Sequence, residues 1–235
     1  MTGSDVQLVQ SLSRGLAVIR AFDGERPRQS LAQVAEATGL PRATVRRFLH
    51  TLVAEGYAAS NGSVFWLTPK TLELGYSYLS SLGLPAIAQP HLDALSRTLN
   101  ESCSLTVLNT SDVVYVARAA ANRIMSVNIT IGTRFPAYVT SMGRVLLAGL
   151  PPAALDAYLA DTALRPFTPK TVTNPDELKQ LLIDVRRQGH CIVDQELELG
   201  LRSVACPVRD SAGTAVAAVN VSAHAGAVGH RGGRR

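Results

Sequence analysis

A chain of 235 residues, 46% of them hydrophobic and 17% charged, can build one large or two modest apolar cores. No run of about 18 apolar residues occurs, which excludes a membrane-spanning helix, and the opening MTGSDVQLVQ lacks the basic and apolar regions of a secretory signal, so a cytoplasmic protein with no membrane partner is expected. The net charge of +5 is weak evidence for any partner, because Arg231, Arg234 and Arg235 in the terminal HAGAVGHRGGRR supply three of those units.

Leu12–Phe22 (LSRGLAVIRAF) has helical spacing, with Ser11 or Ser13 available to cap it. The charged Asp23–Gln29, with Gly24 and Pro27, reads as a loop. Ser30–Glu55 then reads as two short helices joined by a tight turn. Leu31, Val34 and Ala35 form the inner stripe of the first. Gly39 suits left-handed backbone at its end, Leu40 plugs the corner, and Pro41 suits the first turn of the next helix. That second helix buries Val45, Phe48, Leu49 and Leu52 and turns Arg42, Thr44, Arg46 and Arg47 outward, with no acid before Glu55. The pattern is a helix-turn-helix whose second helix enters the major groove of double-stranded DNA. Arginines at its start can reach phosphates or guanine edges, and Thr44 a phosphate or a thymine methyl.

After Gly56 the period changes to two. Tyr57–Ala59 and Val64–Leu67 read as a hairpin turning at Asn61-Gly62, which makes a wing beside the recognition helix. Trp66 is expected to pack that wing onto its domain. Lys70–Leu82 resumes helical spacing with apolar residues on more than one side, as in a connector that also meets a partner subunit, and Ala86–Leu99 forms another helix. Strands are expected at Ser104–Leu108, Val113–Ala117 and Ser126–Ile131, then a loop from Gly132 to Tyr138. Helices follow at Ser141–Leu150, Ala153–Leu159 and Pro175–Gln188, the last capped by Asn174 or Thr173 and closed by Gly189. Strands at Cys191–Asp194, Ser203–Val208 and Ala215–Ser222 complete a sheet flanked by helices. Cys103, Cys191 and Cys206, widely spaced and without a CxxC, fit reduced thiols in a core. The five histidines show no ligand spacing, so no metal site is expected.

These residues together resemble the IclR family of bacterial transcriptional regulators. The resemblance runs over about residues 8–223. It is carried by QSLSRGLAVIRAF, the helix-turn-helix, GYAASNGSVFWLTPKTLELG, TRFPAYVTSMGRVLLAGL, DQELELGLRSVACPVRD and VAAVNVS. LELGYSYLSSL and YVTSMGRVLLAGL look like the subgroup governing aromatic-acid catabolism through the β-ketoadipate route. The resemblance implies an α+β chain with a winged helix-turn-helix domain (8–69, its helix-turn-helix at 30–53), a connector helix (70–84) and a GAF-like α/β effector-binding domain (85–223). It implies a homodimer or dimer of dimers on palindromic operators and a small organic acid as effector, with no cofactor. An aromatic or dicarboxylic acid such as protocatechuate or β-ketoadipate is expected, glyoxylate or pyruvate being the alternative.

Residue by residue, DNA contacts fall to Ser30, Arg42, Ala43, Thr44, Arg46, Arg47 and Asn61. Effector contacts fall to Ser141, Met142, Asp194, Ser203, Asn220 and Ser222. The helix start at Thr140–Met142 is an anion site on physical grounds, because its first N–H groups lack partners. Asn220 and Ser222, two apart on a strand, share one sheet face. Arg134 and Arg202 are candidate charge partners for an acid. The chain departs from the family after VNVS: residues 224–235 read as a flexible basic tail where relatives carry a final helix. An enzyme is disfavoured. No GxSxG, GxGxxG or P-loop occurs, and Asp194, Glu196 and Glu198 read as a solvated strand edge.

Overall fold

The computed structural model describes residues 8–75, 83–121 and 129–226. The chain divides into two compact units, residues 1–81 and 82–235.

In the first unit, α1 (Gln10–Arg20), α2 (Leu31–Thr38) and α3 (Arg42–Ala54) enclose Val18, Val34, Val45, Leu49 and Phe65. Helix α1 starts before both serines expected to cap it, and Val9 stands at its N-cap without a side-chain bond. Ser30 caps α2 reciprocally: its Oγ accepts from the Gln33 N–H at 3.4 Å, and Gln33 Oε1 accepts from the Ser30 N–H at 2.8 Å. Gly39 takes φ +66, as the tight turn between α2 and α3 requires. A three-stranded antiparallel sheet follows in the order β1 (Gln29–Ser30), β3 (Val64–Leu67), β2 (Ala58–Ser60). The hairpin of β2 and β3 is the expected wing. Its third strand was not expected, since two residues carry no periodicity. Phe65, rather than Trp66, buries the wing in the core; Trp66 is half-buried under the Arg28 guanidinium, 4.5 Å from the ring centroid. Residues 69–71 form a 3-10 turn and residues 72–75 are helical; most of the expected connector, 76–82, lies outside the described residues.

The second unit is built on a six-stranded antiparallel sheet ordered β6-β5-β4-β9-β8-β7. Its strands are β4 (Ser102–Asn109), β5 (Asp112–Ala119), β6 (Arg134–Pro136), β7 (Cys191–Asp194), β8 (Leu201–Arg209) and β9 (Ala215–His224). Strand β6 falls in the segment read as a loop. Most of the strand expected at Ser126–Ile131 lies outside the described residues, and 129–131 are not strand. Helix α4 (Leu84–Leu99) packs on β4 and β5. Helices α5 (Ser141–Gly149), α6 (Pro152–Asp161) and α7 (Pro175–Gln188) follow, with α5 over β7, β8 and β9 and against α7. Asn174 caps α7 through the Asp176 and Glu177 N–H groups. Cys103 and Cys191 are buried as expected, and burial pushes the Cys191 thiol up to about 11. Cys206 is exposed, because alternation along β8 turns it to the face that also exposes Val204. Of the tail read as flexible, His224 ends β9 and 227–235 lie outside the described residues.

Every residue of α5 from Ser141 to Ala148 is buried, Arg144 included. Its close seat depends on Gly143, where an added Cβ would collide with the Ala137 carbonyl oxygen. Arg144 grips Glu196 fork to fork, Nη1 to Oε1 at 2.7 Å and Nη2 to Oε2 at 2.6 Å, and its Nε donates to the Tyr138 carbonyl. The Val172 N–H donates to the same carboxylate. Glu196 is therefore not on a solvated edge: β7 ends at Asp194, Gln195 takes φ +63, and the chain turns Glu196 inward. Breaking a buried pair from one side strands the other charge. Glu196→Ala is expected to lower unfolding stability by about 3–5 kcal/mol, and the double variant Arg144→Leu/Glu196→Leu by less, as read by urea denaturation.

Candidate functional site

The first surface is the outer face of α3. Arg42, Ala43, Arg46 and Arg47 are exposed and Thr44 is half-buried, while Val45 and Leu49 face the core. None of these arginines is ion-paired among the described residues, and neither is Arg28, which precedes β1 and lies over Trp66 of the wing. Asn61 is exposed at the wing tip, but its Oδ1 is committed to the Ser63 and Val64 N–H groups at 3.1 and 3.0 Å, leaving its NH2 end outward. Ser30 spends its oxygen on the α2 cap. Unpaired cations on one helix face, with Arg28 against the wing, give the electrostatic footprint of a phosphate-binding surface. Sequence alone does not single out Arg28, because one arginine in a charged loop carries no pattern.

The second site is a cavity of about 470 Å³, including its open mouth, between the sheet and the start of α5. Ile129, Val139, Met142, Leu197 and Leu201 supply apolar walls. Met142, Ser203, Asn220 and Ser222, four of the six expected effector residues, line it together. Ser141 is fully buried beside it and donates its hydroxyl to Ser203 Oγ at 2.9 Å. Asn220, 2% exposed, donates to Ser222 Oγ at 2.7 Å, and its Oδ1 has no partner. Thr140 also lines the cavity, and its hydroxyl accepts from the Gly143 N–H, so one of the α5 donors expected for an anion is already taken.

Asp194 stands apart from this group. Its carboxylate accepts from Arg202 Nε at 2.9 Å and Lys170 Nζ at 3.3 Å, and the Arg202 bond above all holds its pKa down to about 2. Arg202 is thereby occupied, and Arg134 is occupied by Asp112 at 3.1 Å. Neither lines the cavity. The charged residue that does is Arg118, on β5. Its Nη1 and Nη2 donate to Ser104 Oγ and Ser102 Oγ at 3.1 and 3.3 Å, and it has no carboxylate partner among the described residues. Burial lowers its pKa, opposed only by Tyr115 and Cys103.

A bulge aims Arg118. Leu105 pairs with Ala117 and Thr106 with Tyr115, so Val116 is an extra residue on β5. Tyr115 and Arg118, three apart, would otherwise point to opposite faces; the bulge puts both in the cavity wall.

The two halves of the chain match known sequences accordingly. Residues 11–62 match the IclR helix-turn-helix domain, and residues 76–233 the C-terminal domain of the bacterial transcriptional regulator IclR. The chain belongs to the IclR family. It is 47% identical over 225 residues to the Pca regulon regulatory protein of Pseudomonas putida, covering 95% of this chain and 77% of that one. A solved structure described as a transcriptional regulator from Rhodococcus sp. RHA1 matches at TM-score 0.83 and 59% identity, covering 94% of this chain and 88% of that one. An IclR homologue from Microbacterium hydrocarbonoxydans, complexed with 4-hydroxybenzoate, matches at TM-score 0.82 and 25% identity, covering 91% and 89%. This IclR-family regulator thus has its DNA-reading helix and its cavity in separate units. Removing one cation that neutralises a DNA phosphate flattens the salt dependence of duplex affinity by about 0.9 in log–log slope. The slope is therefore expected to fall by nearly 2 for each DNA-bound chain in Arg46→Ala/Arg47→Ala, measured by fluorescence anisotropy against salt, and an unchanged slope would place the docking face elsewhere.

Proposed function

We propose that this IclR-type regulator binds operator DNA through Arg42, Ala43, Thr44, Arg46, Arg47, Ser30 and Asn61, and is controlled by a small aromatic acid of the protocatechuate/β-ketoadipate route held in the cavity beneath α5. The observation that carries the reading is the cavity's make-up. Apolar walls converge on a few polar groups, one of them a buried amide oxygen with no partner, which is the construction of a small-ligand site. The relatives support the chemical class: one is named for the Pca regulon, and another is solved with a hydroxybenzoate. Met142, Ser203, Asn220 and Ser222 line the site and Ser141 supports it from behind; Asp194, tied to Arg202 and Lys170, is not among the lining residues.

The working form is a homodimer, alone or paired, because a palindrome needs two recognition helices. A groove lined by Leu12 and Leu16 of α1, Phe48 and Leu52 of α3, and Leu74 is apolar and open; Leu12, Leu16 and Leu74 are exposed. It gives the first unit a face for a second copy. Ligand binding shifts the population of two dimer arrangements and so the operator affinity.

A ligand at about 100 times its dissociation constant stabilises the fold by about 2.7 kcal/mol, which for a chain of this size raises Tm by roughly 5 °C or more. Thermal melts with 4-hydroxybenzoate, protocatechuate, β-ketoadipate, glyoxylate and pyruvate are expected to single out an aromatic acid or its keto-acid product. A shift with glyoxylate or pyruvate alone would overturn the pathway, and no shift with any acid would overturn acid control.

A further inference from the structure

Resting on the effector reading above, we infer that Arg118 is the specificity-determining residue of the cavity. It holds the effector's carboxylate, while Ser203, Asn220 and Ser222 hold a second polar group across a single aromatic ring.

The argument begins with an uncompensated cation. A guanidinium offers five donors, and the two described bonds of Arg118 end on neutral hydroxyls. Residues 122–128, NRIMSVN, contain no acid that could complete the pair. A half-buried cation left with neutral partners is costly unless a charge arrives to meet it. A carboxylate is the matching anion, since it accepts two parallel N–H bonds from the guanidinium fork. Ser102 sharpens the site: its oxygen accepts from both Arg118 and the Ala121 N–H, which leaves its own O–H to donate to an incoming anion.

The second half of the inference follows from sheet register. Ser102 pairs with Ser222, and Ser222 with Ser203, so the three serines form one row across β4, β9 and β8. Arg118, Ser104 and Asn220 form the neighbouring row. The guanidinium lies over β4, bonded to both of that strand's serines. Ser222 and Ser203 are one and two strands further on, about 5–10 Å at ordinary strand spacing. That is the span of a carboxylate joined to a second polar group through one aromatic ring. Asn220, on the same strand as Ser222 and bonded to its Oγ, adds an amide oxygen without a partner. The apolar walls above the row suit the faces of the ring.

Isothermal titration of the full chain with 4-hydroxybenzoate, 4-hydroxybenzamide and benzoate tests this. The unaltered chain is expected to bind the acid at least tenfold more tightly than the amide. Arg118→Met should weaken the acid and leave the amide unchanged, bringing the two within about twofold. Arg118→Lys, which keeps the charge but loses the fork, should retain part of the preference, and it serves if the methionine variant does not fold. In Ser203→Ala/Ser222→Ala the advantage of 4-hydroxybenzoate over benzoate should shrink while the acid-to-amide ratio stays. If the acids bind but Arg118→Met keeps the full acid preference, the carboxylate sits elsewhere, at the start of α5, and this inference fails while the effector reading stands. If no aromatic acid binds the unaltered chain, the effector reading itself fails and takes the inference with it.

Discussion

The Arg144–Glu196 pair is the interaction on which the second unit depends. It joins three segments that no strand connects. Arg144 brings α5 and, through the Tyr138 carbonyl, the turn before it. Glu196 brings the stretch between β7 and β8, and the Val172 N–H brings the loop before α7. Thr168 and Thr171 reinforce the junction by donating to the Gln195 and Glu196 carbonyls. These segments carry Val139, Thr140, Met142 and Leu197, so one bidentate pair sets much of the cavity's roof. A buried ion pair is a poor source of net stability but a strict source of geometry, since only one arrangement satisfies both forks.

The floor is set differently, by backbone pairing. Antiparallel register fixes which side chains share a row, and the extra residue at Val116 changes which residues of β5 join it. Val116 and Ala117 are then buried away from the cavity while Tyr115 and Arg118 line it. Burial pushes the Tyr115 phenol up to about 12, so the ring stays neutral beside the cation and adds no competing charge. Roof and floor thus come from independent causes, a side-chain ion pair above and a bulged strand below.

The helix-turn-helix was legible in the sequence because its signals are local. The stripes Leu31/Val34/Ala35 and Val45/Leu49, with Gly39 between, need no tertiary information, and Asn61-Gly62 declares its own turn. Ser203, Asn220 and Ser222 could be grouped because alternation on single strands gives their faces and the family likeness gives their place. Strand β1, two residues long, and β6, inside a loop-like stretch, are held by pairing with partners distant in sequence and leave no period. Glu196 misled because alternation was carried past the end of β7, where Gln195 breaks it. Arg118 escapes notice for the complementary reason: counting from Tyr115 without the bulge turns it to the wrong face. An arginine inside VVYVARA was the available signal, since charge in an apolar strand needs a reason.

How the fold treats its other arginines gives that signal its meaning. Arg144 closes on Glu196, Arg202 on Asp194 and Arg134 on Asp112. Arg186 of α7 instead donates to the Ala148 and Leu150 carbonyls at the end of α5, so the fold meets these arginines with carboxylates or backbone oxygens. Arg118 is more confined than Arg134, yet among the described residues its guanidinium bonds only serine hydroxyls, at the wall of the cavity. A sequence selected for stability alone would place an acid opposite it or an apolar residue in its stead, since either removes an unmet cost. An anion that met this cation would bind the folded unit and not the unfolded chain, and so would stabilise the fold, which is the coupling that ligand control of a regulator requires.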